Sequence, residues 1–148
     1  MMHLVLPYVQ GRPIVEVRLG IGRYYNFALM QTGKPIPAPA RLRFLVDTGA
    51  EATFIDQAAA RRLGLRRIGV APVNTGSSGA TPVQFDEYEV ALDIPDPATK
   101  ASAFRDLSMT VLGADLAAQH LDGILGRDVL DQAVATFHGP KQSLILDL

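Results

Sequence analysis

The chain has no cysteine, which excludes disulfides, thiolate catalysis and a cysteine-ligated zinc site. It has almost no net charge. A formal −1 over 148 residues gives no electrostatic reason to expect a nucleic acid or an anionic membrane surface as a partner. No apolar run approaches membrane-spanning length, and Met1 to Pro7 lacks the basic start of a signal peptide and is interrupted early by Pro7. The expected compartment is therefore the cytoplasm, with no membrane role. The three histidines, His3, His120 and His138, lie far apart and match no metal-ligand spacing, so neither a metal nor another cofactor is expected. A Ser/His/Asp arrangement is also missing, because Ser77 and Ser78 lack the strand-to-helix elbow that exposes a nucleophilic serine.

What remains is a globular composition, nearly half hydrophobic and one fifth charged, at a length suited to one domain over 1–148 with a sizeable core. Ile14 to Leu19 alternates Val15, Val17 and Leu19 against Glu16 and Arg18, the pattern of a half-buried strand. Gly20 to Gly22 reads as a turn and Tyr24 to Met30 as a second strand, with Tyr24, Tyr25 and Phe27 in the core. Pro35, Pro37 and Pro39 make 31–40 a surface loop. Arg41 to Val46 reads as the next strand. The segment 56–64 is the clearest helix, with Asp56 as N-cap, alanines in its body and Gly64 at its stop. Further strands are expected over 83–94, 107–112, 124–125, 133–137 and 143–146, with a helical turn at 115–120 and a second helix over 127–132. Many short strands and one or two short helices imply a mainly β fold.

One stretch stands apart. In Arg43-Phe44-Leu45-Val46-Asp47-Thr48-Gly49-Ala50-Glu51-Ala52-Thr53-Phe54-Ile55 the Asp47 carboxylate sits in a tight turn at the end of an apolar strand, with another apolar strand leaving it, which places it near the core. A carboxylate there needs hydrogen bonds or a partner, and such groups in clefts are candidate functional sites. About thirty residues on comes a cluster of small residues, Thr75-Gly76-Ser77-Ser78-Gly79-Ala80-Thr81. Later still, Leu125-Gly126-Arg127-Asp128-Val129-Leu130 places an apolar residue and a glycine ahead of a helix. Gly123-Ile124-Leu125-Gly126 faintly echoes Leu45 to Gly49.

In order and separation these three segments resemble the retropepsin-like, retroviral-type aspartic proteases, in a single-lobed, prokaryote-like variant. The resemblance implies a closed acid-protease barrel and an aspartic endopeptidase acting on peptide or protein substrates. Asp47 would be the shared catalytic acid and base. Thr48 would tie two active-site turns together, Gly49 would leave room for substrate backbone, and Ala50 has no hydroxyl to bond the carboxylate, which favours activity at mildly acidic to neutral pH. Residues Thr75 to Thr81 would form the flap over bound peptide, although this flap lacks an apolar tip. Glu51 resembles the ion-pair partner of Arg127, and Leu125, Gly126, Arg127 and Asp128 would brace the turn. Peptide hydrolysis needs both an acid and a base. With one Asp-Thr-Gly per chain, and neither Asp122 nor Asp128 placed to be the second acid, activity requires a homodimer. Leu144 to Leu148 could interleave into a dimer sheet or form an internal strand. A non-proteolytic peptide-binding or assembly module on the same fold is the alternative.

Overall fold

The computed structural model describes residues 1–76 and 79–148. Strands β1 (His3–Pro7), β2 (Ile14–Ile21), β3 (Ala40–Val46), β4 (Phe54–Asp56), β5 (Arg67–Val73), β6 (Val83–Pro95), β7 (Ser102–Ala114), β8 (Gly123–Leu125), β9 (Val134–His138) and β10 (Ser143–Asp147) dominate the chain. Between them lie three short helices, α1 (Arg23–Gln31), α2 (Gln57–Arg62) and α3 (Arg127–Leu130), and a 3-10 turn at Ala117–Gln119. Six strands in the order β2-β3-β8-β4-β7-β6 close on themselves through the β2–β6 pairing, giving a barrel to which β5 is appended at β6. Closure removes the exposed edges that an open sheet must otherwise protect. Alternation in β2 sends Val15, Val17 and Leu19 inward to meet Phe44, Val90, Leu92, Val111 and Leu125, all of them buried.

A second sheet, β1-β10-β9, stands beside the barrel. Leu4, Leu6, Leu144 and Leu146 join the barrel's core from it. The C-terminal strand β10 is thus internal to one chain, with both edges already paired. Pro7 does not impede β1. Reciprocal bonds between Met2 and Leu148, and the Tyr8 N–H to Gln142, put the bonded positions at even numbers, so Pro7 faces the free edge where no donor is needed.

The region 20–31 departs from the sequence expectation. Gly20 and Ile21 are not a turn but the end of β2, held by pairing with Ala91 and Val90. Tyr24 to Met30 is not a strand but most of α1, and its aromatic residues are not core: Tyr24 is 64% exposed and Phe27 61%. The helix has no side-chain cap of its own. Its first turn is instead met by the buried carboxylate of Glu89 on β6, which accepts from the Tyr25 N–H (3.4 Å) and from the Ser108 hydroxyl (2.7 Å). Gly22 allows that approach, since a Cβ there would sit 2.2 Å from Glu89 Cγ. The helix signal is therefore supplied across the fold, where a local reading sees only strand-prone aromatics.

At 56–64 local reading and structure agree. The Asp56 carboxylate caps α2 through the Ala59 N–H (3.2 Å) and also accepts from the Leu116 N–H (3.0 Å), while Gly64 ends the helix at a φ of +67°. Among the described residues no helix is long and apolar enough to cross a membrane. Replacing Asp56 with Ala removes the cap and leaves a buried N–H unpaired, an expected loss of about 2–4 kcal/mol. Urea unfolding should show it as a lower midpoint at unchanged slope.

Candidate active site

The turn that carries Asp47 is built by three strands. Strand β8 lies between β3, which it pairs in parallel, and β4, which it pairs antiparallel. The chain therefore leaves β3 at Val46, loops over the end of β8 through residues 47–53, and descends as β4 on the far side. The two segments that echo one another in sequence are direct neighbours, with Leu45 opposite Ile124 and Val46 opposite Leu125. The Asp47 N–H donates to the Leu125 carbonyl (3.1 Å), and the Val46 N–H to the Pro13 carbonyl (2.9 Å).

Leaving β8, the chain passes beneath the loop and holds it by its backbone. The Arg127 N–H donates to the Ala50 carbonyl (2.8 Å) and the Asp128 N–H to the Glu51 carbonyl (3.2 Å). Only glycine fits at 126, because a Cβ would lie 2.4 Å from the Ala52 carbonyl oxygen and 2.9 Å from that of Ala50. Side chains complete the clamp. Thr53, wholly buried, donates its hydroxyl to Asp128 Oδ1 (2.7 Å) and accepts from the Gly126 N–H (3.1 Å), while its own N–H donates to Asp128 Oδ2 (2.9 Å). Sequence reasoning missed Thr53. The available signal was a hydroxyl inside an apolar strand start, which must find a partner once buried.

Within the turn Asp47 is half-buried, while Thr48 and Gly49 are exposed. The Gly49 N–H donates to Asp47 Oδ1 (2.8 Å), and a Cβ on Gly49 would crowd that oxygen at 3.1 Å. Among the described residues Oδ2 has no hydrogen-bond partner, so it is left to solvent or to whatever approaches the turn. Ala50 donates its N–H to the Asp47 carbonyl (3.2 Å), which closes the turn. Arg127 and Glu51 do meet, at 3.4 Å, but Glu51's side chain is 88% exposed and Arg127's 45%. A pair so solvated contributes little. Asp122 faces away from the turn, accepting from the Arg43 N–H (2.9 Å).

The β5–β6 hairpin stands at the same end of the barrel. Phe85 of β6 packs edge-to-face on Phe54, the residue that follows Thr53, with ring centroids 5.3 Å apart. Its root is tied by Arg67 to Asp86 (3.0 Å) and by the Gln57 amide to Asp86 (3.0 Å) and the Tyr88 hydroxyl (2.8 Å). Of the expected flap, Gly76, Ala80 and Thr81 lie at the tip with Thr75, and Gly79 takes a φ of +62°. Ser77 and Ser78 lie outside the described residues. Among the described residues, no group of three His, Cys, Asp or Glu side chains is placed to hold a metal.

A protein-family model described as aspartyl protease matches residues 38–129, more than half of the chain. No curated protein matches it. Among solved structures, a retropepsin-like aspartic protease from Rickettsia conorii aligns with a TM-score of 0.57 at 14% identity, covering 98% of this chain and 90% of that one. At that identity the likeness is one of fold, and it is the retropepsin-like fold. The EIAV protease complexed with the inhibitor HBY-793 aligns with a TM-score of 0.47 at 21% identity, over 84% of this chain and 89% of that one. The retroviral protease-like domain of Ddi1 from Leishmania major gives 0.45 at 16%, over 91% and 89%.

The turn's two candidate braces predict different costs. Thr53→Val strands the buried Gly126 N–H and should cost about 1–3 kcal/mol. Glu51→Gln should cost less than about 0.5 kcal/mol. Urea midpoints in the reverse order would mean that the ion pair carries the turn.

Proposed function

Because this chain belongs to the aspartyl protease family, we propose that it is an aspartic endopeptidase whose catalytic dyad forms between two copies. One observation carries this reading. The turn that opens the loop over β8 holds the Asp47 carboxylate with one oxygen bonded to the Gly49 N–H and the other unpartnered among the described residues. The equivalent position at the end of β8 holds Leu125-Gly126, so one chain supplies half of the chemistry.

In the dimer two Asp47 carboxylates meet across a two-fold axis. As in aspartic proteases generally, carboxylates about 3 Å apart cannot both ionise and share one proton. The ionised member takes a proton from a water held between them as its oxygen attacks the scissile carbonyl carbon. The protonated member donates to the carbonyl oxygen. Collapse of the tetrahedral adduct returns that hydroxyl proton to one carboxylate, while the other delivers its proton to the departing amine. One water is consumed, and the pair ends with the single proton it started with. Thr48, exposed beside Asp47, is positioned to bond the neighbouring turn. Substrate lies extended as an added strand between the turn and the β5–β6 hairpin. Because β10 has no free edge, the second copy adds to the outer edge of β1 or β9, where Val5 (53% exposed) and Val134 (60%) offer apolar surface.

The test is cleavage of a mixed peptide library from acidic to neutral pH. Asp47→Asn should lower the rate by on the order of 10²–10⁴-fold. Wild-type and Asp47→Asn chains unfolded and refolded together at equal ratio should keep roughly a quarter of the activity, since a C2 dimer needs both aspartates. Retention of one half would mean that each chain acts alone. Silence from folded wild type at every pH and high concentration would leave the peptide-binding or assembly module as the function.

A further inference from the structure

The sheet β1-β10-β9 has two free edges, and register tells them apart. Reciprocal bonds between Met2 and Leu148 mean that the even-numbered residues of β10 bond to β1. Its odd-numbered residues therefore bond to β9, where Asp147, Ile145 and Ser143 stand opposite Val134, Thr136 and His138. Ala135 and Phe137 turn their N–H and C=O groups outward, and among the described residues no strand pairs with that side. Edges of this kind are normally guarded by proline, charge or a bulge. Strand β1 presents Pro7 on its free edge, and β5 carries Pro72 and a bulge between Arg67 and Gly69. The run Val134-Ala135-Thr136-Phe137 has none of these guards.

Side chains separate the two edges in the same way. Phe137 lies opposite Leu144 and Ala135 opposite Leu146, which in turn face Leu6 and Leu4. Residues directly opposite share a face, so all six belong to the face that meets the barrel's core. The four leucines are buried to 6% exposure or less, whereas Phe137 at the margin is 42% exposed. Strand β1 leaves no such side chain at its own margin, because Leu4 and Leu6 are already covered. Outward hydrogen-bonding groups and an uncovered aromatic ring thus coincide on β9.

We propose that β9 is the strand through which two copies of this chain join, pairing antiparallel with β9 of the second copy about a two-fold axis at Thr136. This rests on the dimer reading above and fixes which edge the second copy meets. The Ala135 N–H donates to the Phe137 carbonyl of the second copy and the Phe137 N–H to its Ala135 carbonyl. Two-fold symmetry doubles these to four bonds. Each Phe137 ring lies beside the small Ala135 of the other copy, on the core face. An axis at Ala135 would call on the Ala133 N–H, which is already donated to the Leu130 carbonyl (3.0 Å). An axis at Phe137 would set the two rings against each other and pair Ala135 with Gly139, beyond the end of β9. The result is one six-stranded sheet, β1-β10-β9 continued by β9-β10-β1, in which neither terminus leaves its own chain. Only three residues separate β9 from α3, whose first turn holds the Asp47 loop, so a short connection ties the axis to that loop.

The experiment is sedimentation of the full chain across micromolar concentrations, with Ala135→Pro and Val5→Pro as a matched pair, each first shown to be folded by circular dichroism. The two substitutions remove one outward N–H each, on β9 and on β1 respectively. Ala135→Pro should weaken the dimer at least about tenfold, since both copies lose a bond, and Val5→Pro should sediment like wild type. The chain has no cysteine, so Thr136→Cys can cross-link only between copies. Residues directly opposite on the axis have Cα atoms about 4.5 Å apart, within the span of a disulfide, so mild oxidation should give a covalent dimer. Asp47→Asn should dimerise like wild type, and a dimer without proteolysis would count against the enzyme reading alone. A monomer at every concentration, a dimer weakened by Val5→Pro and not by Ala135→Pro, or a dimer that oxidation of Thr136→Cys leaves unlinked would each overturn the proposal.

Discussion

Everything at the end of the barrel that carries Asp47 depends on strand β8 passing beneath the 47–53 loop. The loop has no regular structure to satisfy its own carbonyls, and buried backbone groups left unpaired are costly. The chain leaving β8 supplies the donors: the N–H groups of Arg127 and Asp128 meet the carbonyls of Ala50 and Glu51. Gly126 makes that approach possible by having no side chain to intrude. Asp47 is then located from two directions, by β3 beneath it and by the passage under the far side of its loop. Its position is a property of the barrel, which is what chemistry requiring sub-ångström placement needs.

The same loop shows how differently two polar braces can weigh. Thr53, wholly buried at a strand start, donates two hydrogen bonds to Asp128 from a backbone and a hydroxyl group that water does not reach. Glu51 and Arg127 meet in solvent, where water competes well. Residue type alone would rank them the other way, since opposite charges attract notice and a threonine does not.

Legibility in the sequence follows the range of the interaction concerned. The cap at Asp56 and the stop at Gly64 involve neighbours a few residues away, and both could be read directly. The strands with alternating apolar residues, and the mainly β fold they imply, were legible for the same reason, whereas closure into a barrel was expected only from the family resemblance. Helix α1 was not, because its capping carboxylate comes from Glu89, more than sixty positions along. The place of β10 was not decidable either: an apolar strand must be covered, but its composition does not say whether by its own chain or another. The candidate site was legible as a motif, with Asp47, Gly126 and Arg127 all visible, whereas Thr53 became visible only when Asp128 was beside it.

The β5–β6 hairpin has a mechanical consequence. Beyond Asp86 its two strands pair only with each other, since β7 reaches no further along β6 than that residue. It is a cantilever, held at its root. At that root Arg67, Gln57 and Tyr88 converge on a single short zone, and Phe85 bears on Phe54 just past it. A small rotation there is magnified at the tip, and its reaction force enters the protein through Phe54, next to the Thr53 clamp that seats the Asp47 loop. Load on the tip and strain at the aspartate turn are therefore conjugate quantities, carried by the same few side chains.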